Sequence, residues 1–155
     1  FITYMIQVIL IGIVSLPIQL LMMQTEFNNI NLVSLIGVVI SLLGIVIESI
    51  ADHQMTKFKA ETNNKGKLMN KGLWQYSRHP NYFGDSMFWW GIFLFSYGYT
   101  SNLMIVISPI IMTYFLVNIS GVSLLERQIK HKKEGYEEYI NNTSSFILMP
   151  KKNKK

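Results

Sequence analysis

The chain has 155 residues, half of them hydrophobic and only 15% charged, with a formal net charge of +5. A water-soluble domain this short has too little interior for so much apolar sequence. The chain has no Cys, which excludes disulfides, thiolate catalysis and cysteine-based metal or iron–sulfur sites. The charges are segregated. All 14 basic residues lie in Lys57 to Arg78 or in Arg127 to Lys155, while Phe1 to Ile47 holds only Glu26 and Asn81 to Ser123 only Asp85. This pattern is that of an integral membrane protein with a positive-inside bias, so the net charge does not argue for nucleic-acid binding.

At about 20 residues per span, the hydropathy predicts four membrane helices in an all-α, polytopic, multi-pass cell-membrane protein. The first covers Ile2 to Met23, with a kink at Pro17, and Gln24 to Asn31 is a polar turn. The second runs from Leu32 to Ile50 and continues as a polar helical extension, Ala51 to Ala60. The third runs from Tyr82 to Tyr97, interrupted by Gly84 and Gly91. After a turn at Gly98 to Asn102, the fourth runs from Leu103 to Leu125. Two helices separate the two basic segments, which places both, and the C-terminus, in the cytoplasm. The chain opens at Phe1 inside an apolar run without the basic start of a signal peptide, and reads as one membrane domain, 1–155, from the C-terminal part of a longer protein.

This topology gathers the chemistry at one membrane face. Glu48 and Asp52, at i and i+4, share a helix side, followed by Gln54, Lys57 and Lys59. An ordinary polar helix end entering water is the plain alternative. The segment GLWQYSRHPNYFGDSMFWWG, 72–91, places Arg78, His79, Asn81, Tyr82 and Asp85 just before and inside the third helix. Pro80 disfavours helix at His79, so the chain turns there and the new helix presents free N–H groups and a positive dipole end near Asn81 and Tyr82, suited to phosphate. Arg78 can hold phosphate in a bidentate fork. Asp85 lies one turn into the membrane, an expensive place for a carboxylate without partners. A simple Arg–Asp pair locking loop to helix is the competing account. Phe88, Trp89, Trp90, Phe93 and Phe95 read as an interfacial belt and packing. In the tail, Glu126 ends an apolar helix beside Arg127, and Tyr136 and Tyr139, at i and i+3, can close over a ligand, while the basic residues suit anionic headgroups. The sequons at Asn118 and Asn141 fall in a span and on the cytoplasmic side, and are discounted. His53, His79 and His131 have no metal-ligand spacing, so no metal is expected.

The string GLWQYSRHPNYFGD, with ADHQ upstream and LLERQ and GYEEYINNTSSF downstream, resembles the steroid 5-alpha-reductase C-terminal domain superfamily over about 45–150. The nearest branch is its uncharacterised bacterial members. Sterol reductases are more distant, and isoprenylcysteine and phospholipid methyltransferases share the RHPxYxG core. The resemblance implies a cytoplasm-facing pocket for NADPH, which reduces an activated carbon–carbon double bond of a lipophilic, lipid or steroid-like substrate within the bilayer. By motif, it implies cofactor contacts at Gln54, Lys59, Trp74, Arg78, His79, Asn81, Tyr82, Glu126 and Tyr139, with Asp85 and Tyr82 as the catalytic pair. Two alternatives stay open: an S-adenosylmethionine-dependent methyltransferase and a non-catalytic membrane relative. The chain departs from the sterol reductases at Met55, where they carry a Lys. If Phe1 begins a fragment, the N-terminal half in which steroid reductases keep their substrate-polarising groups is outside this sequence.

Overall fold

A computed structural model describes residues 2–25, 30–119 and 135–150; among these, helices dominate and the extended pairing is one isolated bridge between Ser77 and Ser144. Helices α1 (Ile2–Val14) and α2 (Leu16–Met22) meet at a bend of 54°. Pro17 has no N–H to give the carbonyl one turn back, so the break falls just upstream of it, at Ser15, whose hydroxyl donates to the Ile11 carbonyl at 2.7 Å. Helix α3 (Leu32–Ala60) is continuous for 29 residues and joins the expected span to its polar extension. Helix α4 (Pro80–Thr100) opens on Pro80, where a missing N–H costs nothing. The expected fourth helix is broken into a 3₁₀ turn (Leu103–Val106), α5 (Ile107–Tyr114) and a π turn (Phe115–Ile119). Pro109 cannot donate to Ile105, which accounts for the change of winding at that point. Gly135, with φ +75°, leads into α6 (Tyr136–Asn142).

Among the described residues, α3 is long and apolar enough to cross a membrane, and the bent α1–α2 pair adds a second candidate if counted as one span. Helix α4 has 21 residues, but its Asn, Asp, Ser, Tyr and Gly content dilutes its apolar character, and Leu103–Ile119 is shorter than a full span. The four-span expectation therefore exceeds what length and composition of these helices return.

The chain divides into two compact units. In the unit built from Phe1–Leu43 and Ser86–Tyr114, burial is inverted relative to a water-soluble fold. Ser34, Ser41, Ser86, Ser96 and Ser108 are buried, while Leu35, Ile36, Val39 and Leu42 on α3 are exposed. Small hydroxyls let helices approach closely and bond across the gap. Ser34 donates to the Phe95 carbonyl at 3.1 Å, and Ser41 donates to that of Phe88 at 3.2 Å. Trp90 Nε1 donates to Thr113 at 3.2 Å, and Ser86 shares a 2.8 Å bond with the same hydroxyl. In the other unit, Gly44–Asp85 with Phe115–Lys155, a small core forms from Ala51, Met69 and Trp74, flanked by Met55, Phe58 and Leu73.

Candidate functional site

The site is assembled in the second unit from three pieces of chain: the polar end of α3, the loop 68–79 leading into α4, and α6 with the segment after it. Gln54 ties the first piece to the second. Its carboxamide oxygen accepts the Leu73 N–H at 2.9 Å, and the carboxamide fills the space where Gly72, at φ +61°, has no Cβ. The next residue but one, Trp74, is buried and donates its indole N–H to the Ala51 carbonyl at 3.0 Å. The indole is thereby pinned to α3 through its N–H edge.

The second and third pieces are laced together. Ser77 is fully buried; its hydroxyl donates to the Phe146 carbonyl at 2.7 Å and accepts the His79 N–H at 3.1 Å. The Arg78 N–H donates to the Ser144 carbonyl at 2.8 Å, and Met149 N–H donates to that of Tyr76 at 3.1 Å. Arg78 Nη1 donates to the carbonyls of Ile140 at 2.8 Å and Thr143 at 2.9 Å. The Tyr139 hydroxyl donates to the Trp74 carbonyl. Phe83 meets Phe146 edge to face with centroids 5.7 Å apart.

These restraints shape a cleft of about 530 Å³, inside the usual range for small-molecule sites. Lys59, Trp74, Arg78, His79, Asn81, Tyr82 and Tyr139, all singled out in the sequence, line it. His79 is buried and stacks on Tyr82, with centroids 5.7 Å apart and planes 6° from parallel. The buried Oδ1 of Asn81 accepts no hydrogen bond from the described residues. Tyr136 and Tyr139 are both buried, their rings 6.2 Å apart, and present one face to the cleft as their spacing implies.

Other expected residues are placed differently. Gln54 is a tie beneath the loop and lines a shallower depression with Lys57 and Lys71. Asp85 is half-buried and does not line the cleft; with Asp52 it lies close enough to act on Tyr82 and Glu48 electrostatically. Glu126 lies outside the described residues. Asp52, grouped with Glu48 from the sequence, lines the cleft as well, together with Met55, Thr56, Leu68 and Met69, to which no site role was assigned from sequence. Leu68 and Met69 left one signal, an apolar pair inside the lysine-rich stretch NKGKLMNKG. A lining that combines rings and thioethers with Lys, Asn and Tyr polar groups suits a ligand that combines a flat heterocycle with phosphate or hydroxyl groups.

A family model described as protein of unknown function, DUF1295, matches residues 1–143. The chain belongs to the DUF1295 family. This DUF1295 chain is also 32% identical over 102 residues to the Delta(14)-sterol reductase of Ascobolus immersus. That alignment takes in 65% of the chain and spans about a fifth (21%) of the fungal protein's length. Both findings are consistent with the steroid-reductase-like superfamily indicated by the RHPNYFGD segment. No solved structure matches the chain.

Proposed function

We propose that the protein is the cofactor-binding part of a multi-pass membrane reductase that uses NADPH to saturate an activated carbon–carbon double bond in a lipid or sterol-like substrate. The observation that carries this reading is the convergence of Lys59, Trp74, Asn81, Tyr82 and Tyr139 on one cleft, and the match to a sterol reductase supports it. The donor set fits such a cofactor. The buried Asn81 Oδ1 is an acceptor suited to a carboxamide or a ribose hydroxyl, and Lys59 and the N–H groups opening α4 suit phosphate. Trp74 and Tyr136 supply ring faces.

When bound, NADPH supplies the hydride. The chain's own contribution is to hold the alkene in a dry setting and to stabilise the charge that develops on its conjugated oxygen. In this reading the Tyr82 hydroxyl polarises that oxygen and delivers the proton, held in place by the His79 ring stacked on it. Asp85 tunes Tyr82 through its charge, Gln54 holds the loop that carries Trp74, and Glu126 remains assigned by motif alone. One observation favours a second reading: Asp52 lies among aromatic rings in the same cleft, an environment that also suits the sulfonium of S-adenosylmethionine.

Titrating the full-length protein with NADPH and S-adenosylmethionine separates the readings. NADPH is expected to bind. Tyr82→Phe should keep that affinity while lowering turnover of an enone substrate by about 10²-fold or more, the usual contribution of a positioned acid. Asp85→Asn should likewise lower turnover more than binding. Binding of S-adenosylmethionine alone overturns the reductase reading, and binding of neither favours a non-catalytic relative.

The outward apolar surface of α3 and the buried serines support the bilayer as partner. Both basic segments are proposed to face the cytoplasm. Reporters inserted near Asn64 and fused after Lys155 should both read as cytoplasmic; opposite readings would remove one crossing from the four-span topology.

A further inference from the structure

Gln54 lines a depression of about 330 Å³ with Lys57, Phe58, Lys71 and Gly72, none of which lines the aromatic cleft. Lys57 and Lys71 are exposed, and neither ammonium has an ion-pair partner among the described residues. The Gln54 oxygen accepts the Leu73 N–H at 2.9 Å, while its Nε2 donates to no described residue. The hollow therefore holds three donor groups that the fold itself leaves unused.

Their place on α3 says what they meet. Val46 and Ile50 are exposed, near the end of the apolar part of the helix. Lys57 follows them by eleven and seven residues. At about 100° and 1.5 Å per residue, that puts it within about 20° of the same side and about 10 Å beyond Ile50. A helix side that is apolar through Ile50 and cationic about two turns later matches the step from hydrocarbon to headgroups, where a lysine stem lies on apolar surface and its ammonium reaches the phosphates.

The charge in the hollow is nearly balanced. Two ammonium groups stand against the Glu61 carboxylate, which accepts from Asn64 at 2.8 Å, and against the C-terminal end of α3, which carries about half a negative charge. So small an excess holds a free anion weakly. It suits an anion with an apolar anchor of its own, its acyl chains on the Val46 and Ile50 side and its charge at the lysines.

We propose that Lys57, Lys71 and the Gln54 amide N–H hold the headgroup phosphate of an anionic phospholipid, which braces the loop carrying Trp74 against α3. The two lysines stand on the two pieces of chain that Gln54 joins, and Lys71 is three residues from Trp74. A phosphate between them adds a second tie beside the Gln54–Leu73 bond. The inference goes beyond the reductase reading, since it rests on α3 lying in a bilayer and not on the ligand of the cleft. The attraction is exposed, so it weakens as salt rises.

The test places the full-length protein in nanodiscs of phosphatidylcholine, alone or with about one-fifth phosphatidylglycerol, and counts the lipids it retains by native mass spectrometry. Wild type should retain phosphatidylglycerol in preference. Lys57→Ala/Lys71→Ala should lower that preference by about 25-fold, about fivefold for each lysine at an anionic surface. Lys57→Arg/Lys71→Arg should keep it, as should Lys151→Ala/Lys152→Ala, which removes the same charge from the C-terminus. Hydrogen exchange over 68–79 should slow when phosphatidylglycerol is present in wild type and not in the Lys57→Ala/Lys71→Ala protein. Inorganic phosphate added to the phosphatidylcholine nanodiscs should not reproduce the slowing. No preference in wild type, or an equal loss in both Ala pairs, overturns the site; slowing by inorganic phosphate alone overturns the lipid as its occupant. NADPH binding, measured on the same samples, reports on the cleft separately.

Discussion

Arg78→Ala is expected to lower the folding stability of the second unit by about 3 kcal/mol and to free the C-terminal segment, with ligand affinity falling as a consequence. From sequence, Arg78 is a phosphate fork at the start of a helix. In the fold, Nη1 donates to two carbonyls, those of Ile140 and Thr143, at 2.8 and 2.9 Å. A hydrogen bond from a charged donor contributes about 1.5–3 kcal/mol, and Arg78 is half-buried, so the two bonds together are taken at the low end of their combined range, about 3 kcal/mol. The carbonyls belong to the segment that carries Tyr139 into the cleft, which makes Arg78 a positioning residue for that wall. Arg78→Lys should restore only part of the loss, because one ammonium on a shorter reach replaces a planar fork. Chemical unfolding in detergent, with limited proteolysis of 136–150, measures the effect. Unchanged stability with nucleotide binding abolished would return Arg78 to the phosphate role.

Gly84→Ala should cost about as much, for a different reason. A Cβ on Gly84 would lie 2.6 Å from the Gly44 carbonyl oxygen and 2.6 Å from the Glu48 nitrogen, both backbone atoms that cannot swing aside. Overpacking costs about 1–3 kcal/mol, and a clash with backbone belongs at the top of that range or beyond. The same change also shifts the first turns of α4, which carry Asn81 and Tyr82, so the cleft should distort with the fold. Gly12→Ala is the control: its Cβ would meet nothing within 4 Å, and the better helix propensity of Ala should leave stability unchanged or raised by up to about 1 kcal/mol. Thermal unfolding of the three proteins in one detergent decides the matter. Equal midpoints would mean that α3 and α4 have room to separate at Gly84.

Hydropathy and charge placement were enough to predict α3 and its polar continuation through Ala60, because both signals are carried by neighbouring residues. Proline made the start of α4 legible, and the i, i+3 spacing of Tyr136 and Tyr139 correctly put two rings on one face. Arg78, His79, Asn81 and Tyr82 were readable as one site since they fall within five residues of each other. Other assignments needed partners far along the chain. That Arg78 bonds carbonyls 62 and 65 residues away, that Gln54 supports a loop 19 residues on, and that Ser77 reaches Phe146 are matters of tertiary folding. Pro109 was visible, but whether it kinked, ended or merely retuned a helix depended on what packs around it. Asp85 stands at i+3 from Tyr82, on nearly the same side of α4 and about a turn further along, yet does not line the cleft, because helix spacing gives the side a residue faces and only packing determines where along that side the cavity ends. Sequence thus determined the local elements and the chemical inventory of the site; the fold decided which of those groups face a ligand and which are committed to hydrogen bonds that hold the walls.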